Sequence, residues 1–232
     1  MLVDRFFYIN LDRRGDRNIH FLAECEKATI PTDKIERFKA IDGLTATIPE
    51  EDMRLFDHAD YRNMPFFRNI VGNQLSHFSI MKQMLEDEDL QTIAVFQDDV
   101  VFSDGFMESL SRLEVPEDAE MVSIGFHKFA CFAHFEGWHL RSSEDTDDDF
   151  EELGQERVNA SVCRLKDTVN PCSLAYLLTR KGAENMIAHF REHGFRRATD
   201  WCFNDYLRSR NIFYGSSKVL CTGNPAFGSD IF

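Results

Sequence analysis

Short apolar runs alternate with amphipathic stretches along most of this chain. Residues 5–10 form a compact apolar and aromatic run that predicts a strand. A turn over 11–15 follows, and Asp16 can cap a helix from about 17 to 28. Residues 35–41 predict a second strand, closed by the turn pair Asp42-Gly43. Residues 49–59 suit a helix, with Pro49 near the first turn and acids behind it where the helix dipole favours them. Leu75, Phe78, Met81 and Leu85 recur at helical spacing and predict a helix over 73–86. Residues 92–96 are a continuous β-rich run, the pattern of a strand buried on both faces of a parallel sheet. A helix over 106–113 and a short strand over 121–125 come next.

From 127 to 157 the periodicity dissolves. Aromatics mix there with an acid block at 144–152, which marks a solvated loop. A loop of that length inside one domain is either functional or disordered. Order returns with a strand over 173–178 and a helix from Lys181 that carries Ala183, Met186, Ile187 and Phe190 on one face. Thr199 or Asp200 can cap a further helix to about 210, and strand-like pieces lie at 212–214 and 218–220. Strands alternating with helices predict an α/β fold, a mainly parallel sheet flanked by helices. The 232 residues suit a single domain, 1–232, with the acidic loop as an insertion.

Composition narrows the possibilities. Hydrophobic residues at 43% and charged residues at 28% describe a globular chain. The 22 phenylalanines predict a Phe-rich core or an aromatic-lined cleft. A net charge of −14 argues against non-specific binding to nucleic acid or anionic membrane. A local basic cluster with a metal can still hold a phosphate. The six cysteines show no CxxC spacing, so a zinc ribbon or thioredoxin motif is not expected. Free, mostly buried thiols in a reducing, cytoplasmic compartment are expected instead. Neither a signal-peptide pattern nor an apolar run long enough for a bilayer is visible.

The strand over 92–96 runs into Gln97-Asp98-Asp99. Ligands of open α/β sheets bind beyond the carboxyl ends of such strands. Two adjacent acids there can hold a hard divalent cation against a diphosphate, or simply form a solvated turn. Arg13, Arg14 and Arg17 with Asp12 and Asp16 are either a basic site at a strand end or a solvated helix start. Asp42 reads as a turn former, His77 as a packed histidine between Leu75 and Phe78, and Asp200 as a helix N-cap.

Five segments in order change that balance. They are Phe7-Tyr8-Ile9-Asn10-Leu11-Asp12-Arg13-Arg14-Gly15-Asp16-Arg17, Lys39-Ala40-Ile41-Asp42-Gly43, Gly72-Asn73-Gln74-Leu75-Ser76-His77, Val95-Phe96-Gln97-Asp98-Asp99-Val100, and the run from Pro171 to Ala183. Together they resemble glycosyltransferase family 25, the lipopolysaccharide and collagen galactosyltransferase-like family. The likeness covers most of the chain apart from roughly 44–70 and 127–165. It implies a GT-A-like (Rossmann-like) fold, a UDP-sugar donor, Mn²⁺ or Mg²⁺, and inversion at the anomeric carbon.

The resemblance also implies roles. Asp99 becomes the direct metal ligand, with Asp98 holding a ligand or water beside it. Gln97 stands where the family usually has Glu; it can hydrogen-bond a ribose but carries no charge. Asn10, Asp12, Arg13 and Arg17 lie where the nucleotide would sit, with an arginine on the diphosphate and Asp12 on base or ribose. Asp42 becomes a nucleotide contact, and His77 either touches the donor or holds the metal loop. An inverting transfer needs a general base; Asp200, beside Trp201, is the candidate and Asp205 the fallback. Phe129, Phe132, Phe135 and Trp138 could face the acceptor, and His127, His134 and His139 could add a metal ligand or do neither.

The implied reaction moves a hexose, galactose from UDP-galactose, onto a hydroxyl of a glycan, glycolipid or glycoprotein acceptor. Two rivals remain: a catalytically degenerate domain that only binds sugar nucleotide or glycan, and a nucleotidyl or phosphoryl transferase. The second would need two metals and more clustered acids.

Overall fold

Burial of β1 (Arg5–Asn10) on both faces, from Phe6 to Asn10, sets the layering of the molecule, which a computed structural model describes over residues 3–126, 155–166 and 173–230. Along the chain follow α1 (Gly15–Lys27), β2 (Ile35–Lys39), α2 (Glu50–Met53), α3 (Phe67–Glu86), β3 (Thr92–Gln97), β4 (Val100–Phe102), α4 (Phe106–Ser111), β5 (Met121–Ser123) and β6 (Gly125–Phe126). Then come β7 (Gln155–Arg157), β8 (Val162–Leu165), β9 (Ala175–Thr179), α5 (Arg180–His193), α6 (Thr199–Ser209), β10 (Tyr214–Ser216) and β11 (Cys221–Gly223). The loop aromatics and histidines at 127–139 and the acid block at 144–152 lie outside the described residues.

The main sheet has eight strands in the order β2-β1-β3-β9-β5-β10-β8-β7. Only β9 and β8 run against the sense of the other six. The expected mostly parallel α/β sheet flanked by helices is therefore the one observed. A second sheet has three short strands in the order β4-β11-β6, and Phe102 of β4 packs on Phe96 of β3. Strands of two or three residues carry no readable periodicity, which is why the sequence reading passes over most of these.

One face of the main sheet carries Tyr8 and Phe96. They meet Phe21 of α1 at 4.2 and 5.9 Å between ring centroids, and Phe96 also meets Phe102 at 5.2 Å. On the opposite face Tyr176, level with Val95, meets His77 of α3 at 5.7 Å. Phe78, Phe190 and Phe195 cluster between α3 and α5. The Phe-rich core expected from composition is present. Cys25, Cys163, Cys202 and Cys221 are buried free thiols. Among the described residues no helix is long and apolar enough to cross a membrane.

Three element boundaries differ from expectation for physical reasons. α3 starts at Phe67 and runs through Gly72. A Cβ at Gly72 would lie 2.3 Å from the Ile41 carbonyl oxygen and 2.6 Å from the Gly43 nitrogen. Gly72 is there for close packing rather than as a helix breaker. The expected helix over 49–59 shrinks to α2 and a 3₁₀ turn, Arg54–Phe56. The Leu55 carbonyl accepts instead from the Phe195 N–H at 2.6 Å, and Phe56 is drawn into the core beside Phe195. Finally, neither Asp16 nor Asp200 caps its helix. Asp16 lies in the first turn of α1 and pairs with Arg14, while α6 starts after Ala198 with no side-chain cap.

Candidate active site

The register of β1 and β3, with Tyr8 level with Phe96 and Ile9 with Gln97, brings the ends of both strands to one edge of the sheet. The turn after β3 holds Asp98 and Asp99; the turn after β1 holds Asp12, Arg13 and Arg14. Both acids are buried, at 5% and 9% exposure. Burying carboxylates costs several kcal/mol unless they are paired, and Asn10 of β1 and Arg17 of α1 supply the pairing. The Asn10 amide donates to Asp98 Oδ2 at 2.7 Å and to the Arg14 carbonyl at 3.0 Å, and its oxygen accepts from Arg37 Nε at 2.9 Å. Arg17 donates to Asp98 Oδ1 at 3.0 Å and lies 3.4 Å from Asp99 Oδ2. Burial raises the pKa of Asp98, against the downward pull of Asn10 and Arg17.

Asp99 differs in one respect. Its Oδ1 is buried and accepts no hydrogen bond among the described residues. Such an orphan acceptor fits a cation ligand. Among the described residues no three His, Cys, Asp or Glu side chains converge on one point. A metal here would therefore rest on one or two carboxylates with the remaining ligands from diphosphate oxygens and water, the arrangement Mg²⁺ and similar ions adopt with nucleotides.

The three arginines that follow β1 meet more acids than the sequence suggests. Arg13 pairs with Asp42, and Arg14 with Asp16 at 2.8 Å. Arg13, Arg14 and Arg17 all also reach Asp230, whose place in this cluster the sequence reading missed. Nothing local could have revealed it, since Asp230 is 217 residues from Arg13.

The turn containing Asp42 is clamped onto α3. Ser76 Oγ accepts from the Ile41 N–H at 2.9 Å and donates to the Gly72 carbonyl at 2.7 Å. A Cβ on Gly43 would overlap the Arg68 carbonyl. The segment Gly72-Asn73-Gln74-Leu75-Ser76-His77 therefore positions Asp42, and through it Arg13.

Other candidates lie further off. Asp12 turns over β2, paired with Lys39 at 2.6 Å and Arg37 at 2.9 Å; hydrogen bonds from Lys39 and then Arg37 lower its pKa. Gln97 ends β3 and donates its N–H to the Leu174 carbonyl at 2.9 Å. His77 is fully buried with Nδ1 2.8 Å from the Tyr176 hydroxyl and its ring edge-on to Phe203. Burial lowers its pKa to about 3, and no hydrogen bond or ion pair joins it to Asp98 or Asp99.

Asp200 approaches by another route. Asn69 of α3 donates to the Asp230 carbonyl at 3.2 Å, and Asn73, one turn later, accepts from Thr199 Oγ1 at 2.7 Å. The start of α6 and Asp230 thus sit about one helical turn, ~5.4 Å of rise, apart along α3. Asp205 is engaged by Arg197 at 3.0 Å, and Arg197 also lies 4.0 Å from the Trp201 ring centre.

Residues 3–202 match the family model described as glycosyltransferase family 25 (LPS biosynthesis protein). Among curated proteins, procollagen galactosyltransferase 2 of Mus musculus is 30% identical over 132 residues, 53% of this chain and 20% of the relative. A procollagen lysyl hydroxylase and glycosyltransferase of Acanthamoeba polyphaga mimivirus is 33% identical over 121 residues, 46% of this chain and 13% of the relative. The matched stretch thus spans a fifth or less of each of these longer proteins. A crystal structure of the galactosyltransferase LgtC with donor and acceptor sugar analogues overlaps 95% of this chain and 87% of its own, at TM-score 0.41 and 11% identity. That overlap is too loose to place any side chain.

Proposed function

The chain belongs to glycosyltransferase family 25, and from that premise we propose that it transfers galactose from UDP-galactose, with a divalent metal and with inversion, onto a hydroxyl of a glycan, glycolipid or glycoprotein. One observation carries the reading: two buried carboxylates and three arginines meet where β1 and β3 end, and one carboxylate oxygen, Asp99 Oδ1, is left without a donor. Asp99 Oδ1 is the one carboxylate oxygen so placed among the described residues, and a buried acceptor left open costs about 1–3 kcal/mol, which a bound cation would offset.

Each residue then has a task. Asp99 is the metal ligand. A divalent cation bound there supplies Lewis-acid stabilisation of the diphosphate leaving group. Asp98, locked by Asn10 and Arg17, keeps the Asp99 turn in register with the first strand. Arg13 and Arg17 bind the diphosphate, with Arg14 beside them. Asp42 orients Arg13, Gln97 hydrogen-bonds the ribose, and Asp12 exchanges Lys39 and Arg37 for a base or ribose contact when the donor binds. His77 keeps α3 against β9 beneath the site. Asp200, whose Oδ1 accepts from the Trp201 N–H at 3.0 Å, takes the proton from the acceptor hydroxyl as it attacks, with Asp205, paired with Arg197, as the fallback.

The test is UDP release from a panel of UDP-sugars with Mn²⁺, compared with EDTA and with Asp99→Ala. One donor should be hydrolysed slowly without acceptor, and EDTA and the substitution should each abolish this. Mn²⁺-dependent binding with no release from any donor would support a binding domain in place of an enzyme. Neither release nor binding would remove Asp99 from the metal role.

A further inference from the structure

The segment after β11 crosses the candidate donor site. The Asn224 N–H donates to the Asp99 carbonyl oxygen at 2.7 Å, extending the ladder in which Gly223 lies level with Val100. The Phe227 ring then sits 5.4 Å from the Arg17 guanidinium, 5.8 Å from that of Arg14 and 5.0 Å from the His20 ring. The Gly228 carbonyl accepts from Arg17. Asp230 ends the crossing with its carboxylate paired to Arg14, 3.4 Å from Arg13 and 3.5 Å from Arg17.

A single carboxylate at the focus of three guanidiniums is the chemistry of an anion site, and arginine forks bind carboxylate and phosphate alike. Charge decides whether a second anion could join it. Arg13, Arg14 and Arg17 already face Asp16, Asp42, Asp98, Asp99 and Asp230. The carboxylates outnumber the guanidiniums with Asp230 in place and also without it, so what decides is where the charge sits. Among the described residues Asp230 is the one carboxylate that all three arginines reach, and its departure removes a full negative charge from the point they share.

We propose that residues 224–230 form a strap whose Asp230 carboxylate stands in for the donor's diphosphate, and that donor binding displaces it. The strap fills the point shared by the three arginines when no donor is bound, and it makes occupancy of the site depend on an anion strong enough to replace a carboxylate. This rests on the donor-site reading above. In the displaced state Phe227 leaves its seat on α1 while the β4–β11 pairing stays, so the strap hinges near Asn224.

The test titrates inorganic pyrophosphate with Mg²⁺ into the wild type, Asp230→Asn and Asp230→Glu, reading binding by calorimetry and fold by thermal melt. Asp230→Asn should bind roughly three- to tenfold tighter, the range expected when a few partly exposed ion pairs no longer compete, while Asp230→Glu stays near wild type. In the wild type, pyrophosphate should speed chymotrypsin cleavage after Phe227, read by mass spectrometry. Equal or weaker binding by Asp230→Asn, or protection of Phe227 by pyrophosphate, overturns the strap and leaves the donor site standing. Pyrophosphate binding to none of the three proteins overturns both.

Discussion

Asp99 carries the sharpest prediction at the scale of single residues. Replacing it by alanine removes a buried acceptor that has no donor for Oδ1, while Arg17, 3.4 Å from Oδ2, keeps Asp98, Asp230 and the Gly228 carbonyl, so little stability is lost with the carboxylate. Donor turnover should fall by about 10²–10³-fold, the size of loss that follows removal of one electrostatic stabiliser. The melting temperature should stay near that of the wild type, and calorimetry beside a turnover assay checks both halves. His77 makes the complementary case. Its imidazole stays neutral in the folded chain down to about pH 3 but protonates near pH 6.5 once unfolded. The folded pKa is depressed, so its contribution is complete above pH 6.5 and is lost as pH falls from there toward 3. Urea unfolding between pH 7 and pH 4 should show wild-type stability falling more steeply than that of His77→Gln. The excess slope should approach one proton, about 1.4 kcal/mol per pH unit.

At the scale of elements, the match between α3 and the turn at 41–43 controls the site from behind. Alanine in place of a mid-helix glycine ordinarily stabilises a helix by about 0.5–1 kcal/mol. At Gly72 the sign should reverse, because the new methyl would lie 2.3 Å from the Ile41 carbonyl oxygen. Gly72→Ala should destabilise by about 1–3 kcal/mol and raise the donor KM more than it lowers kcat, since the displaced turn carries Asp42, the partner of Arg13. Denaturation and steady-state kinetics check this. A second such joint binds α5 to α3. Arg180 donates to the Met84, Leu85, Asp87 and Leu90 carbonyls at 2.7–3.1 Å, filling acceptors that the end of α3 leaves open. The Thr179 hydroxyl caps α5 by accepting from the Gly182 N–H at 3.1 Å, and Gly182 itself packs on the Glu120 carbonyl. These contacts account for the Thr179-Arg180-Lys181-Gly182 segment by structure alone.

For the whole molecule, linkage supplies a test independent of turnover. If the acids and arginines form one donor site, Mn²⁺ and UDP should raise the melting temperature together by more than the sum of their separate shifts, amounting to about 2.7 kcal/mol with ligand at a hundredfold its Kd. Differential scanning calorimetry with each ligand and with both measures it. Much of this architecture was legible beforehand. The periodicity of Leu75, Phe78 and Met81 located α3 apart from its first turns, and the continuous run of β3 and the apolar face of α5 located those elements to within a residue or so at their starts. The motif order identified the family and pointed to Asp98, Asp99, Arg13 and Arg17. What the sequence by itself determined is thus local: which segments are strands and helices, and which residue types stand at strand ends, because side-chain periodicity and turn chemistry act over a few residues. Tertiary structure alone decided that Asn10 is spent on Asp98, that Asp12 turns to Lys39, that Gly72 and Ser76 hold the Asp42 turn, and that Asp230 closes on the arginines. Those pairings join residues 27 to 217 positions apart. They follow from the packing of finished elements and from the need of buried charges for partners, neither of which leaves a pattern along the chain.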